Sequence, residues 1–261
     1  MRIRKPKRMK KVKINEESSN IRVSSKNSSF NETEAFRQLR TNIEFSSFSK
    51  DIQVVNVTSA NPGEGKSTIA CNLAIIATAK YDKVLLIDCD LRKPTQHKNF
   101  KISNNGGVSG IMRKLDQIDL GDGGYFSKLK FGEFNGHLYV LPAGMQVPNP
   151  QELLSSERFK TLIEKCRKEF DFIVIDCPPL NAVVDAIPVS IACDGTIFAL
   201  SARDTDKRAA KAALTELNRA GANILGCVLN KTEKRSEKYY NYNYYSGYGY
   251  GGYGNSEKHP H

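Results

Sequence analysis

From Val54 onward, short runs of β-branched and aliphatic residues alternate with longer stretches whose apolar positions recur every three or four residues. The runs Val54–Thr58, Val84–Asp88, Leu138–Leu141, Phe172–Asp176, Thr196–Leu200 and Ile224–Leu229 predict strands. The stretches Thr68–Lys80, Glu157–Glu169 and Lys207–Ala220 predict the helices between them. Such alternation predicts an α/β fold with a mainly parallel, doubly wound sheet and helices on both faces. A further helix over about 33–46 precedes the first strand. Its Ala35, Phe36, Leu39, Ile43 and Phe45 recur near helical spacing, with Asn31 or Thr33 as the cap.

Two stretches break the pattern. Residues 103–136 carry eight glycines, which predicts a short helix near Val108–Leu115 followed by mobile loops. Tyr239–Tyr253 reads YYNYNYYSGYGYGGY, holds eight of the eleven tyrosines and has no aliphatic residue with which to build a core. It is expected to be a flexible, exposed tail. Residues 1 to about 30 are polar, charged and rich in Ser and Asn, too poor in apolar side chains to fold alone. The expected division is a flexible basic arm over 1–30, a domain over 31–232 and a tyrosine-rich tail over 233–261.

Composition narrows the classes. A chain of 261 residues, 39% hydrophobic and 26% charged, can bury the core of one large α/β domain or two small ones. Its longest apolar stretches, Leu73–Ala79, Val84–Ile87 and Phe172–Ile175, fall far short of the roughly 18–20 residues of a spanning helix. The basic start lacks the apolar stretch of an export signal, so a cytosolic protein is expected. Six cysteines, at 71, 89, 166, 177, 193 and 227, form no C-x-x-C pair and read as reduced thiols. The formal charge is +11, yet Met1–Lys13 holds eight Lys and Arg and no acid, leaving only +3 for all the rest. Such an arm either stays solvated or meets an acidic membrane surface or partner. No interleaved aromatic motif accompanies it, so no specific nucleic-acid binding is expected.

The chemistry is concentrated at strand ends. After the first strand stands Ala60-Asn61-Pro62-Gly63-Glu64-Gly65-Lys66-Ser67-Thr68, a P-loop with Ala at its first glycine. Backbone N–H groups of residues 63–68 and the helix N-terminus would surround phosphate oxygens, Lys66 would reach the β- and γ-phosphates, and Ser67 would ligate Mg²⁺. Two apolar strands then end in acids, at Asp88 and Asp90 and at Asp176. In a doubly wound sheet, ligands sit at the carboxyl ends of strands. One strand-end Asp is often only a turn cap, but three beside a triphosphate call for a cation between them. Asn230, at the end of the last strand, is either an adenine contact or an ordinary turn residue.

These motifs, with the tyrosine cluster, resemble the bacterial tyrosine kinases (BY-kinases) of capsular and exopolysaccharide synthesis. Further matches are Arg92-Lys93-Pro94, Leu141-Pro142-Ala143-Gly144, Pro148-Asn149-Pro150 with Glu152-Leu153-Leu154, and Leu229-Asn230-Lys231. Glu34, Arg37 and Arg40 match the family's E-x-x-R-x-x-R oligomer motif. The resemblance covers about 30–253, although the Gly-rich 119–136 region is longer than the family's usual connection. It implies a P-loop NTPase fold with Walker A at Asn61–Thr68, Walker A′ at Asp88 and Asp90, and Walker B at Asp176. Asp88 is then the base, with Ser67, Asp90 and Asp176 on the metal side of an ATP and Mg²⁺ site. The implied acceptors are Tyr239, Tyr240, Tyr242, Tyr244, Tyr245, Tyr248, Tyr250 and Tyr253, phosphorylated in trans within a ring of unphosphorylated subunits. The implied partners are a transmembrane adaptor whose cytosolic segment recruits and activates the kinase at the inner face of the membrane, as in the Gram-positive split type, and a cognate tyrosine phosphatase.

Two other functions remain in play. ATPases of the ParA/MinD type share the fold and both acidic motifs, but carry a signature lysine that would fall at Asn61. A non-catalytic, nucleotide-dependent assembly subunit of a polysaccharide machine would use the tail as a sticky surface.

Overall fold

The computed structural model describes residues 30–46, 51–120, 124–132 and 134–232. Seven strands form one sheet: β1 (Val54–Ser59), β2 (Lys83–Asp88), β3 (Ser127–Leu129), β4 (His137–Leu141), β5 (Phe172–Asp176), β6 (Gly195–Ser201) and β7 (Ile224–Asn230). Their order is β3-β4-β2-β5-β1-β6-β7. Every neighbouring pair is parallel except β3 and β4. The register sets Asp88 beside Asp176 and Val57 beside Asp176. The carboxyl ends of β1, β2 and β5 therefore meet at one edge, where the predicted phosphate loop and acids fall.

Burial explains why the central strands read as continuous apolar runs. Leu85, Ile87, Ile173 and Ile175 pack on one face with α4 (Gly107–Lys114), α6 (Glu157–Glu169), α7 (Ala186–Ala192) and α8 (Lys207–Arg219). Val84, Leu86, Phe172 and Val174 alternate with them onto the other face, against α2 (Lys66–Ala77). A strand covered on both sides has no polar face to show. The helix α2 is buried all along Ile69–Ala77, because α1 (Phe30–Ser46) lays Phe36, Leu39 and Ile43 over its outer side. A helix enclosed on two sides needs no polar stripe. The helices α6 and α8 face solvent and start on side-chain caps, Ser156 accepting from Phe159 N at 3.3 Å and Asp206 from Ala209 N at 2.8 Å.

Several sequence expectations need correction. The first helix starts at Phe30, so Asn31 and Thr33 lie inside its first turns and do not cap it. The P-loop helix spans Lys66–Ala77, earlier at both ends than expected. The glycine-rich region contains more than loops: Ser127–Leu129 pairs antiparallel with Leu138–Val140 and closes that edge of the sheet. Three short helices escaped the periodicity reading, α3 (Gln96–Asn99), α5 (Pro150–Ser155) and α7. Each spans two turns or fewer, too short for a 3.6-residue pattern to register. All six cysteines are unbridged, and only Cys227 is exposed.

Candidate active site

The turn after β1 is built before any ligand arrives. Gly63 and Gly65 take φ of 84° and 96°, the left-handed region that an L side chain enters only under strain. The Glu64 carboxylate, buried beneath the turn, accepts from Asn61 N at 2.9 Å and from the Thr205 hydroxyl. Asn61 also accepts from Asn181 Nδ2 at 3.1 Å, while Pro62 and Gly63 stay exposed. Gly65 is the N-cap of α2 and offers no side chain to cap it. The first-turn N–H groups at Lys66, Ser67 and Thr68 have no carbonyl four residues back, which makes this helix start an anion cradle.

Asn230 packs directly on this cradle. Its Nδ2 donates to the Glu64 carbonyl at 3.2 Å, and a Cβ on Gly65 would lie 1.8 Å from it. Gly65→Ala is therefore expected to cost more than Gly63→Ala. The latter has open space and meets only backbone strain, about 1–2 kcal/mol. Thermal melts and fluorescent-ADP titrations of both variants check this: equal losses would mean that Asn230 yields freely.

Behind the cradle lie the acids. Lys66 Nζ donates to Asp90 Oδ2 at 3.1 Å and to Ser67 Oγ at 3.2 Å. Asp88 is wholly buried; its Oδ1 accepts from Asp90 N at 3.1 Å, and its Oδ2 from Thr95 N and Gln96 N, each at 3.0 Å. Burial, and next the Asp176 carboxylate, push its carboxyl well above the usual range. Burial also raises Asp176, opposed by the Lys66 ammonium, the Gln96 amide and the Ser67 hydroxyl. For Lys66, burial works against the charge, but Asp176, Asp90 and Asp88 outweigh it and raise its pKa. The ammonium is thus held charged where phosphate charge would be placed.

Asp176 Oδ1 is buried without a hydrogen-bond partner. A lone buried carboxylate oxygen beside a serine hydroxyl fits a divalent cation that also takes phosphate oxygens. Among the described residues, no three His, Cys, Asp or Glu side chains form a metal cage by themselves. Mg²⁺ keeps waters and phosphates and takes only one or two carboxylates. Sequence reasoning missed Glu64 as the brace of the turn, Gln96, and Asp185. The Asp185 carboxylate, 1% exposed, accepts from Arg92 Nε at 2.7 Å and Nη2 at 3.2 Å and so anchors the loop after Asp90. Glu64 stands within the P-loop motif, which gives no sign of its bracing role, and neither Gln96 nor Asp185 stands in a spacing that could have marked it.

Residues 52–211 match the AAA domain family. The chain is 38% identical over 213 residues to the tyrosine-protein kinase YwqD of Bacillus subtilis (strain 168), covering 82% of this chain and 86% of YwqD. The chain belongs to the bacterial tyrosine kinases. To the tyrosine-protein kinase CpsD of Streptococcus agalactiae the kinase is 35% identical over 214 residues, covering 81% of this chain and 89% of CpsD. The crystal structure of the chimerical protein CapA2B2 superposes with a TM-score of 0.71 at 34% identity, covering 82% of this chain and 90% of that one. A ParA family ATPase from Chlorobium tepidum shares the fold alone, at 20% identity and a TM-score of 0.56. The kinase is a P-loop enzyme that uses ATP to phosphorylate tyrosine.

Of the three residues expected to form an oligomer motif, Glu34 and Arg37 make an exposed pair at 3.4 Å. Arg40 does not extend that stripe outward. It turns toward α2, donating to the Ile76 carbonyl at 3.4 Å and pairing with Glu44 at 3.3 Å. The tyrosines expected as acceptors, Tyr239–Tyr253, and the arm Met1–Lys13 lie outside the described residues. Among the described residues, no helix is long and apolar enough to cross a membrane.

Proposed function

We propose that the kinase transfers the γ-phosphoryl group of Mg-ATP to its own C-terminal tyrosines, in trans, and so regulates capsular or exopolysaccharide synthesis. The observation that carries this reading is the convergence of Lys66, Ser67, Asp88, Asp90 and Asp176 around one capless helix start. Nucleotide binding alone does not require three acids there. Lys66 and the N–H groups at 63–68 hold the β- and γ-phosphates, and Ser67, Asp90 and Asp176 hold Mg²⁺. When bound, Mg²⁺ neutralises charge that develops on the phosphate oxygens. Asn230, whose amide donates to the Glu64 carbonyl, contacts the adenine in this reading.

Asp88 serves as the general base. Its raised proton affinity suits it to accept the proton of a phenol whose ordinary pKa is about 10. The phenolic oxygen forms the new bond to the γ-phosphorus, the bond to the β–γ bridging oxygen breaks, and ADP leaves. Positioning and charge neutralisation carry most of the rate in such transfers. Full burial of Asp88 means that the loop 89–95 must shift as the acceptor enters.

Recruitment follows the split arrangement: a separate transmembrane adaptor supplies a cytosolic activating segment, the basic arm adds attraction to anionic lipid, and a cognate phosphatase resets the tail. The test is incubation with Mg-ATP, with and without that segment, followed by phosphosite mapping. Phosphate on Tyr239–Tyr253 supports the reading. Release of inorganic phosphate without phosphotyrosine indicates a ParA-like ATPase, and neither product indicates an assembly subunit.

The exposed Glu34–Arg37 pair is worth at most a few tenths of a kcal/mol within one helix. In this reading it serves contacts between subunits, with Arg40 supporting that face from beneath. The unphosphorylated kinase is expected to assemble into a ring, where a tethered tail meets a neighbour's site at about millimolar effective concentration. Each phosphotyrosine adds about −1.5 to −2 charge, so phosphorylation favours release. Joint substitution Glu34→Ala and Arg37→Ala is expected to shift particle mass in light scattering to the monomer; an unchanged mass removes the interface.

A further inference from the structure

Gln96 lies outside every motif, yet it touches all three. It is 0% exposed and opens the single turn α3. Its Nε2 donates to Asp176 Oδ2 at 2.7 Å and to the Ser67 carbonyl at 3.1 Å, which uses both amide hydrogens. Its Oε1 accepts from Asn99 Nδ2 at 3.1 Å, and this contact fixes which end of the amide faces Asp176. Its backbone N–H, with that of Thr95, holds Asp88 Oδ2.

We infer that Gln96 is a positioning residue for phosphoryl transfer, whose amide orients Asp176 toward a divalent cation and ties it to the P-loop. The amide occupies one carboxylate oxygen, Oδ2, and leaves Oδ1 without a partner. A neutral donor suits this place, because it orients the carboxylate without cancelling the charge that attracts the cation. An Arg or Lys there would compete with the metal for the same oxygens. Outer partners of metal ligands commonly set about 10–100-fold in metal affinity or activity. The opposing account is that Gln96 merely fills a buried layer, in which case its loss would weaken nucleotide binding with and without Mg²⁺ alike.

This inference rests on the proposed assignment of Mg²⁺ to Ser67, Asp90 and Asp176, and the experiment separates the two. Gln96→Met keeps the length of the side chain, removes both N–H donors and leaves the backbone bond to Asp88. In the full chain, affinity for a fluorescent ADP analogue is titrated against Mg²⁺ without turnover. The Mg²⁺ concentration for half-maximal effect is expected to rise about tenfold or more. Affinity without Mg²⁺ should stay within about twofold, and kcat should fall while KM for ATP at saturating Mg²⁺ stays within about twofold. Asn99→Ala frees the amide to rotate and should shift the Mg²⁺ requirement in the same direction by less, which provides a second route if Gln96→Met does not fold. An unchanged Mg²⁺ requirement, or equal losses with and without Mg²⁺, overturns the role of Gln96. A wild-type kinase whose nucleotide affinity ignores Mg²⁺ overturns the metal assignment itself.

Discussion

Lys66→Met is expected to abolish tyrosine phosphorylation, a fall of about a thousandfold or more, while the chain stays folded. The size follows from the loss of one preorganised charge at the transferring phosphate, where single donors are worth up to about 10³ in rate. Three carboxylates keep that ammonium charged in spite of its burial. A raised lysine pKa means that its contribution to folding is complete below the unfolded value and is lost only as pH rises through the folded one. At neutral pH the wild-type charge is therefore fully present. Without it, Asp176 loses the strongest opposition to its burial-driven rise and binds a proton more readily. A carboxyl raised in the folded state stabilises less as pH rises from the unfolded value toward the folded one, so across that window the melts of Lys66→Met should worsen more than those of wild type. Asp88→Asn should also abolish phosphotyrosine, because an amide accepts no proton and turns an N–H toward one of the three backbone donors around it. Mass mapping of phosphate after Mg-ATP decides both; wild-type rates in either variant would remove that residue from the chemistry.

The sequence exposes this site unusually well because its chemistry is local. A phosphate cradle needs glycines, a lysine and a hydroxyl within one turn of a helix start, and all stand within Asn61–Thr68. The acids could be read because each ends a long apolar run, and the register then sets Asp88 beside Asp176. Long-range contacts left no such mark. Gln96 meets Asp176 across 80 positions and Glu64 meets Thr205 across 141, and no local pattern connects residues so far apart. The strand Ser127–Leu129 was hidden by its three-residue length among glycines, and only pairing with β4 makes it a strand. Arg40 shows the limit of facial reasoning: spacing placed it with Glu34 and Arg37, but packing of α1 on α2 drew it inward.

Asp194→Ala is expected to produce the largest loss of stability in the scaffold, about 3 kcal/mol near neutral pH. The Asp194 carboxylate joins three elements at the end of the sheet opposite the nucleotide. It accepts from Gln53 N at 3.0 Å and Val54 N at 2.8 Å, which start β1, and from Arg167 Nη1 at 2.7 Å and Nη2 at 2.8 Å, near the end of α6. Removing one partner of a buried pair commonly costs about 3–5 kcal/mol. The lower end applies because the Arg167 side chain keeps 20% of its surface in solvent and can rehydrate. Burial works against the carboxylate, but Arg167 and the two N–H groups outweigh it, so its pKa lies below the ordinary value. A depressed carboxyl contributes stability that is present above the unfolded pKa, about 3.9, and is lost as pH falls through the folded value. The gap between wild type and variant in urea midpoints should accordingly be full at pH 7 and narrow below about pH 4. Asp194→Asn, which keeps acceptors for β1 but not the charge, should fall between the two. A gap that does not narrow in acid would show that lost packing, not the ion pair, sets the cost. Because the bond lies far from the carboxyl ends of the strands, the folded variant should retain the wild-type KM for ATP at low temperature; a large rise would mean that the two ends of the sheet are coupled through β1.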